Sequence, residues 1–114
     1  MKQYLVLDFG GTYTKYALMD ENGAFLEKGK VDSRCEDLDR MLASVAPLKE
    51  QFAGQFEGVA VSMPGRIDTA NGIAYTGGMF KFIRETPMGA ELETLFCTEA
   101  ALEKCPELAE LPGE

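Results

Sequence analysis

Gln3-Tyr4-Leu5-Val6-Leu7-Asp8-Phe9-Gly10-Gly11-Thr12-Tyr13-Thr14-Lys15-Tyr16-Ala17-Leu18-Met19 consists of two β-rich runs joined at a glycine pair. From Gln3 to Phe9 the residues are nearly all apolar and β-favouring, the pattern of a strand buried on both faces. Gly10-Gly11 lets the backbone turn with no Cβ in the way, and a second strand is expected from about Thr14 to Met19. Asp20-Glu21-Asn22-Gly23 supplies turn chemistry, with Asn22-Gly23 suited to positive φ. A third strand is expected over about Ala24 to Lys30, so the first third of the chain reads as a three-stranded antiparallel meander.

Beyond the meander the period changes. Ser33 and Glu36 stand at capping-box spacing, and Leu38, Met41, Leu42 and Val45 recur as one helix face. Pro47 is expected to end or kink that helix near Ala46. Gly58-Val59-Ala60-Val61-Ser62 is a short strand pattern closed by Met63-Pro64-Gly65. A helix separates it from the first strand, so the two are expected to pair in parallel. Arg66-Ile67-Asp68 and Ile73-Ala74-Tyr75 flank Thr69-Ala70-Asn71-Gly72 as a hairpin, and Gly77-Gly78 opens a loop. Thr86-Pro87 places a capping residue before a first-turn proline, followed by Met88, Leu92, Leu95 and Phe96 at helical spacing. The tail from Thr98 is helix-prone but cut by Pro106 and Pro112.

At 114 residues, 46% hydrophobic and 26% charged, the chain suits one compact domain with a real core. The net charge of -8 disfavours a nucleic-acid partner, and no Lys/Arg cluster stands out along the sequence to override it. The apolar run after Met1 is far shorter than a signal-peptide core or a membrane span. Three cysteines, Cys35, Cys97 and Cys105, match neither a disulfide framework nor zinc-ligand spacing, so a reducing cytoplasm is expected. With no histidine in the chain, acid-base chemistry falls to carboxylates.

Asp8-Phe9-Gly10-Gly11-Thr12-Tyr13-Thr14-Lys15 carries the strongest chemical signal. A buried strand delivers Asp8 to its carboxyl end, the glycines expose amides to an anion, Thr12 and Thr14 offer hydroxyls, and Lys15 adds a positive charge. An aspartate beside such a cradle is placed to hold Mg²⁺, usually through water. A plainer reading is a hairpin turn whose Asp8 satisfies nearby amides. Neither G-x-x-x-x-G-K-[ST] nor G-x-G-x-x-G is present, so the expected cradle is a β-hairpin rather than a strand-to-helix loop.

Asp8-Phe9-Gly10-Gly11-Thr12 resembles the first phosphate motif of the actin and hexokinase superfamily, specifically of the ROK family of bacterial sugar kinases and repressors. Val59-Ala60-Val61-Ser62-Met63-Pro64-Gly65-Arg66-Ile67-Asp68 is similar to the ROK strand that ends in a Pro-Gly turn, and Tyr75-Thr76-Gly77-Gly78 to the loop after it. The resemblance covers roughly residues 3 to 97. It implies an α/β fold with a ribonuclease-H-like mixed sheet, a three-stranded antiparallel meander plus a parallel strand, with flanking helices as in the actin/hexokinase ATPase lobe. It also implies ATP-dependent phosphoryl transfer to a hexose hydroxyl. Asp8, Gly10, Gly11, Thr12, Thr14 and Lys15 would then face the nucleotide phosphates, Asp8 would hold Mg²⁺ through water, and Gly65, Gly77 and Gly78 would lie near the sugar.

The tail departs from the family pattern. The family's next strand ends in Glu-Asn-Asp, whose Asp is the general base, whereas here Ala100-Ala101-Leu102-Glu103 runs into Lys104-Cys105-Pro106-Glu107-Leu108-Ala109-Glu110-Leu111. The catalytic aspartate is expected to be missing next to Glu103, with Glu103 a poor substitute, and residues 98–114 form an atypical tail of the single domain 1–114. The expected reading is therefore the first lobe of a glucokinase-like enzyme, incomplete alone. The alternative is a non-catalytic sugar- or nucleotide-binding or oligomerisation module, with a homodimer through its exposed lobe face. The family's Cys-rich zinc motif is absent, so no zinc is expected. No helix-turn-helix segment precedes the first strand, which disfavours a repressor.

Overall fold

The computed structural model describes residues 2–103. Strands β1 (Gln3–Phe9), β2 (Tyr13–Asp20) and β3 (Phe25–Asp32) form the meander, and helices α1 (Leu38–Val45) and α2 (Pro47–Gln51) lead to β4 (Gly58–Ser62). Short strands β5 (Ile67–Asp68), β6 (Ile73–Thr76) and β7 (Arg84–Thr86) follow, then helix α3 (Met88–Phe96) and strand β8 (Glu99–Glu103). The main sheet has the order β3-β2-β1-β4-β8, and β5-β6-β7 form a second, smaller sheet. β1 is antiparallel to β2 and parallel to β4, and β8 runs parallel to β4 on its far side. This is a mixed α/β fold with the expected meander and parallel neighbour.

Alternation along the strands separates two faces. Leu5, Leu7 and Phe9 of β1 and Val59 and Val61 of β4 join Met41, Val45, Leu48, Met88, Leu92 and Phe96 of the three helices in one core. Val6 and Ala17 form a small cluster of their own, with Met19 and Ala60 against it. The helices therefore cover one face of the main sheet, and the reverse face carries Val6 and, two residues on, Asp8. The small sheet is tied to the same core through Ala74, Phe80 and Ile83, and the Phe9 and Phe80 rings meet edge-on at 6.4 Å.

Three local expectations need correction. The α1 cap is Asp37, whose carboxylate accepts from the Arg40 N–H at 2.8 Å. Ser33 is engaged elsewhere: its hydroxyl donates to the Gly10 carbonyl at 2.6 Å and its N–H to the Thr12 carbonyl at 3.0 Å. Thr86 does not cap α3. It ends β7, in keeping with the extended backbone favoured before proline, and Pro87 takes the cap position with no side-chain hydrogen bond. The start of the tail is strand β8 rather than helix. Pairing with β4, together with the Thr98 hydroxyl donating to the Glu57 carbonyl at 2.9 Å, overrides the helical preference of Ala100-Ala101-Leu102.

Candidate functional site

β1 and β4 run parallel and end side by side at Asp8 and Ser62, at the carboxyl end of the sheet, where α/β folds commonly bind ligands. Asp8 is the register partner of Lys15 on β2 and of Ser62 on β4. The Lys15 ammonium lies 3.7 Å from its carboxylate, and both Asp8 and Ser62 are buried. Burial pushes the Asp8 carboxyl above its ordinary value, opposed by the charge and hydrogen bond of Lys15 and by the Ser62 hydroxyl. Across β4, Ser62 is in register with Glu103 at the end of β8, so positions 8, 62 and 103 form one row across three parallel strands. The expectation that the catalytic aspartate is missing next to Glu103 falls on Lys104 onward, outside the described residues.

Past Asp8 the chain makes a tight turn in which the Gly10 N–H donates to the Tyr13 carbonyl at 3.1 Å. A Cβ on Gly10 would stand 2.9 Å from that same oxygen, and one on Gly11 would overlap the Met79 sulfur. Ser33 braces the turn from behind through its two bonds to Gly10 and Thr12. Among the described residues the Gly11 and Thr12 N–H groups have no partner within the protein. In front of the turn lies a groove of about 410 Å³ lined by Gly10, Gly11, Tyr13, Lys15 and Lys30. Thr12 is exposed and does not line it. Thr14 is fully buried, does not line the groove, and its Oγ1 has no hydrogen-bond partner among the described residues.

The Pro64-Gly65 turn and the Gly77-Gly78 loop pack against one another. Gly65 has φ 109°, and a Cβ there would overlap the Thr76 carbonyl, so only glycine fits without strain. The Arg66 N–H donates to the Thr76 hydroxyl at 2.9 Å, and a Cβ on Gly78 would come within 2.8 Å of the Pro64 side chain. Met79, 56% exposed, extends from this loop to Gly11. The fold thus brings Asp8, Gly10, Gly11, Thr12 and Lys15 to one end of the sheet and joins them to Gly65, Gly77 and Gly78 through Met79.

Ser33, Ser62 and Lys30 escape the motif reading, because each reaches the site through strand pairing or a long-range bond. Alternation places Ser62 on the Asp8 face only once the β1–β4 register is known. The sequence shows no Lys/Arg cluster, yet pairing of β2 with β3 sets Lys30 opposite Lys15. A buried carboxyl at the strand end, unengaged amides and two ammonium groups together fit a polyphosphate with a hard cation. Among the described residues no group of three or more His, Cys, Asp or Glu gathers to hold a metal unaided, so a cation at Asp8 would take most of its ligands from water or phosphate. No helix of the described residues is long and apolar enough to cross a membrane.

Residues 4–106 match the ROK family. The beta-glucoside kinase of Klebsiella pneumoniae is 32% identical over 87 residues, which is 76% of this chain and 29% of that protein. The Lmo2764 protein of Listeria monocytogenes superposes with a TM-score of 0.80 at 23% identity, over 89% of this chain and 34% of its own. A ROK family glucokinase from Streptomyces griseus, solved with glucose and AMPPNP, superposes with a TM-score of 0.74 at 21% identity, over 89% of this chain and 32% of its own. The chain therefore spans about a third or less of each of these relatives, and the structural likenesses establish the shared fold.

Proposed function

The chain belongs to the ROK family, and from that membership we propose that it supplies the phosphate cradle and part of the sugar-facing wall of an ATP-dependent hexose kinase. The observation that carries this reading is the convergence of the Gly10-Gly11, Pro64-Gly65 and Gly77-Gly78 turns beside the buried Asp8–Lys15 pair. The free Gly11 and Thr12 amides and the Lys15 ammonium bind and orient the terminal phosphates, as phosphoryl transfer depends chiefly on positioning and charge. Asp8 would hold Mg²⁺ through water, and the ion, when bound, would neutralise charge on the phosphates. Ser62 and Lys15 orient the carboxylate for that task. Gly65, Gly77 and Gly78 let the backbone approach the sugar closely.

No aspartate stands where the family's general base is expected, next to Glu103. Losing a positioned base costs about a hundredfold to ten-thousandfold in rate, so the chain binds without turning over efficiently. The test titrates Mg-ATP and glucose into the 114-residue chain while following thermal stability and ATP consumption. Stabilisation without turnover is expected. Robust turnover would overturn the incompleteness, and no stabilisation by Mg-ATP would overturn the cradle. A second reading, a binding module that meets a partner or a second copy, draws on the exposure of Tyr13 (44%) and Met79 (56%) beside the cradle. Sedimentation separates the two, since a strict monomer counts against this reading.

A further inference from the structure

Lys15 and Lys30 are register partners on β2 and β3, and both line the groove in front of Gly10 and Gly11. Like charges directly opposite one another destabilise a strand pair, so the arrangement calls for nearby negative charge. Lys15 has Asp8 at 3.7 Å. Among the described residues Lys30 has no carboxylate within ion-pair distance. Its ammonium instead sits 4.3 Å from the centroid of the Tyr13 ring, a contact worth about 0.5–1 kcal/mol at an exposed site. That contact leaves the ammonium's three N–H donors uncommitted. Although the chain carries a net charge of -8, among the described residues this groove is lined by two ammonium groups and no carboxylate. Other grooves carry Glu57 or Glu93.

We propose that Lys30, steered by Tyr13, is a second phosphate-contacting cation, and that with Lys15 it selects the terminal phosphates of a nucleoside triphosphate over a monophosphate. The inference rests on the nucleotide reading above and adds a specificity-determining residue from β3, outside the glycine turn. A triphosphate chain carries enough negative charge and length to engage both ammonium groups at once, and a monophosphate carries too little.

The test titrates the isotope-labelled 114-residue chain with ATP, tripolyphosphate and AMP in the presence of Mg²⁺, following backbone amides by NMR. Lys30→Gln is expected to weaken ATP and tripolyphosphate about tenfold, the scale of one charge-assisted hydrogen bond, and to leave AMP within about twofold. Lys30→Arg and Tyr13→Phe keep the charge and the ring and are expected to bind like the parent, with Tyr13→Leu between. Melting curves confirm that each variant folds. If ATP shifts the Gly11 and Thr12 amides at the same concentrations in parent and Lys30→Gln, the inference fails while the nucleotide reading stands. If tripolyphosphate in the tens of millimolar shifts neither amide in the parent, both fail.

Discussion

Asp8 shows how a ligand site is held at a cost to the empty fold. Its carboxyl is displaced upward from the ordinary 3.8, first by burial, with Lys15 and Ser62 pulling the other way. The folded state therefore binds this proton more tightly than the unfolded chain, and the stability it contributes is complete below 3.8 and lost as pH rises through the raised value. In melts from about pH 3 to pH 7, the Asp8→Asn variant is expected to gain on the parent as pH climbs through that interval. Parallel curves would mean that the carboxyl is not displaced. Thr14 is a second cost, because a buried hydroxyl without a partner forfeits about 1–3 kcal/mol. Thr14→Val should raise the melting midpoint by about 4 °C or more and leave Mg-ATP binding unchanged. A lower midpoint would show that the hydroxyl has a partner.

Among the elements, the segment between β3 and α1 divides two tasks between neighbouring polar residues. Asp37 caps α1, and Ser33 braces the glycine turn. Asp37→Ala is expected to cost about 0.5–2 kcal/mol and to speed amide exchange in the first turn of α1. Ser33→Ala should cost about 1 kcal/mol and speed exchange around Gly10 to Tyr13 while leaving α1 protected. Exchange effects the other way round would restore the capping-box reading. The spacing of Ser33 and Glu36 met the rule for a cap, but Ser33 sits where β3 passes the Gly10–Thr12 turn, a proximity that no local pattern encodes. The same limit explains β8. Its residues favour a helix locally, and only the free edge of β4 makes a strand of them.

For the molecule as a whole, the two sheets share one core, with Leu5, Leu7 and Val61 of the larger and Ala74, Phe80 and Ile83 beside the smaller buried together. The chain is therefore expected to unfold in a single cooperative transition, with far- and near-ultraviolet signals coincident. Phe80→Ala, which removes the ring facing Phe9, should cost about 3–5 kcal/mol and shift both signals together. A separate early transition at the Gly77–Ile83 loop would show that the small sheet is an independent unit. The shared core matters for function because it holds Gly65 and Gly78 in fixed relation to Gly11, through the contacts of Pro64 and Met79.

The strands of the meander and the glycine turn behind Asp8 were legible in the chain as written, because each rests on interactions between near neighbours: alternation, turn chemistry and the conformational freedom of glycine. The parallel sense of β4 followed from the helix that separates it from β1. The β1–β4 register that sets Ser62 against Asp8, the pairing that sets Lys30 opposite Lys15, the reach of Ser33 to Gly10 and the conversion of the tail into β8 came from packing. These join residues far apart in sequence, and their energies depend on which backbone edges and side chains the assembled core leaves within reach of one another.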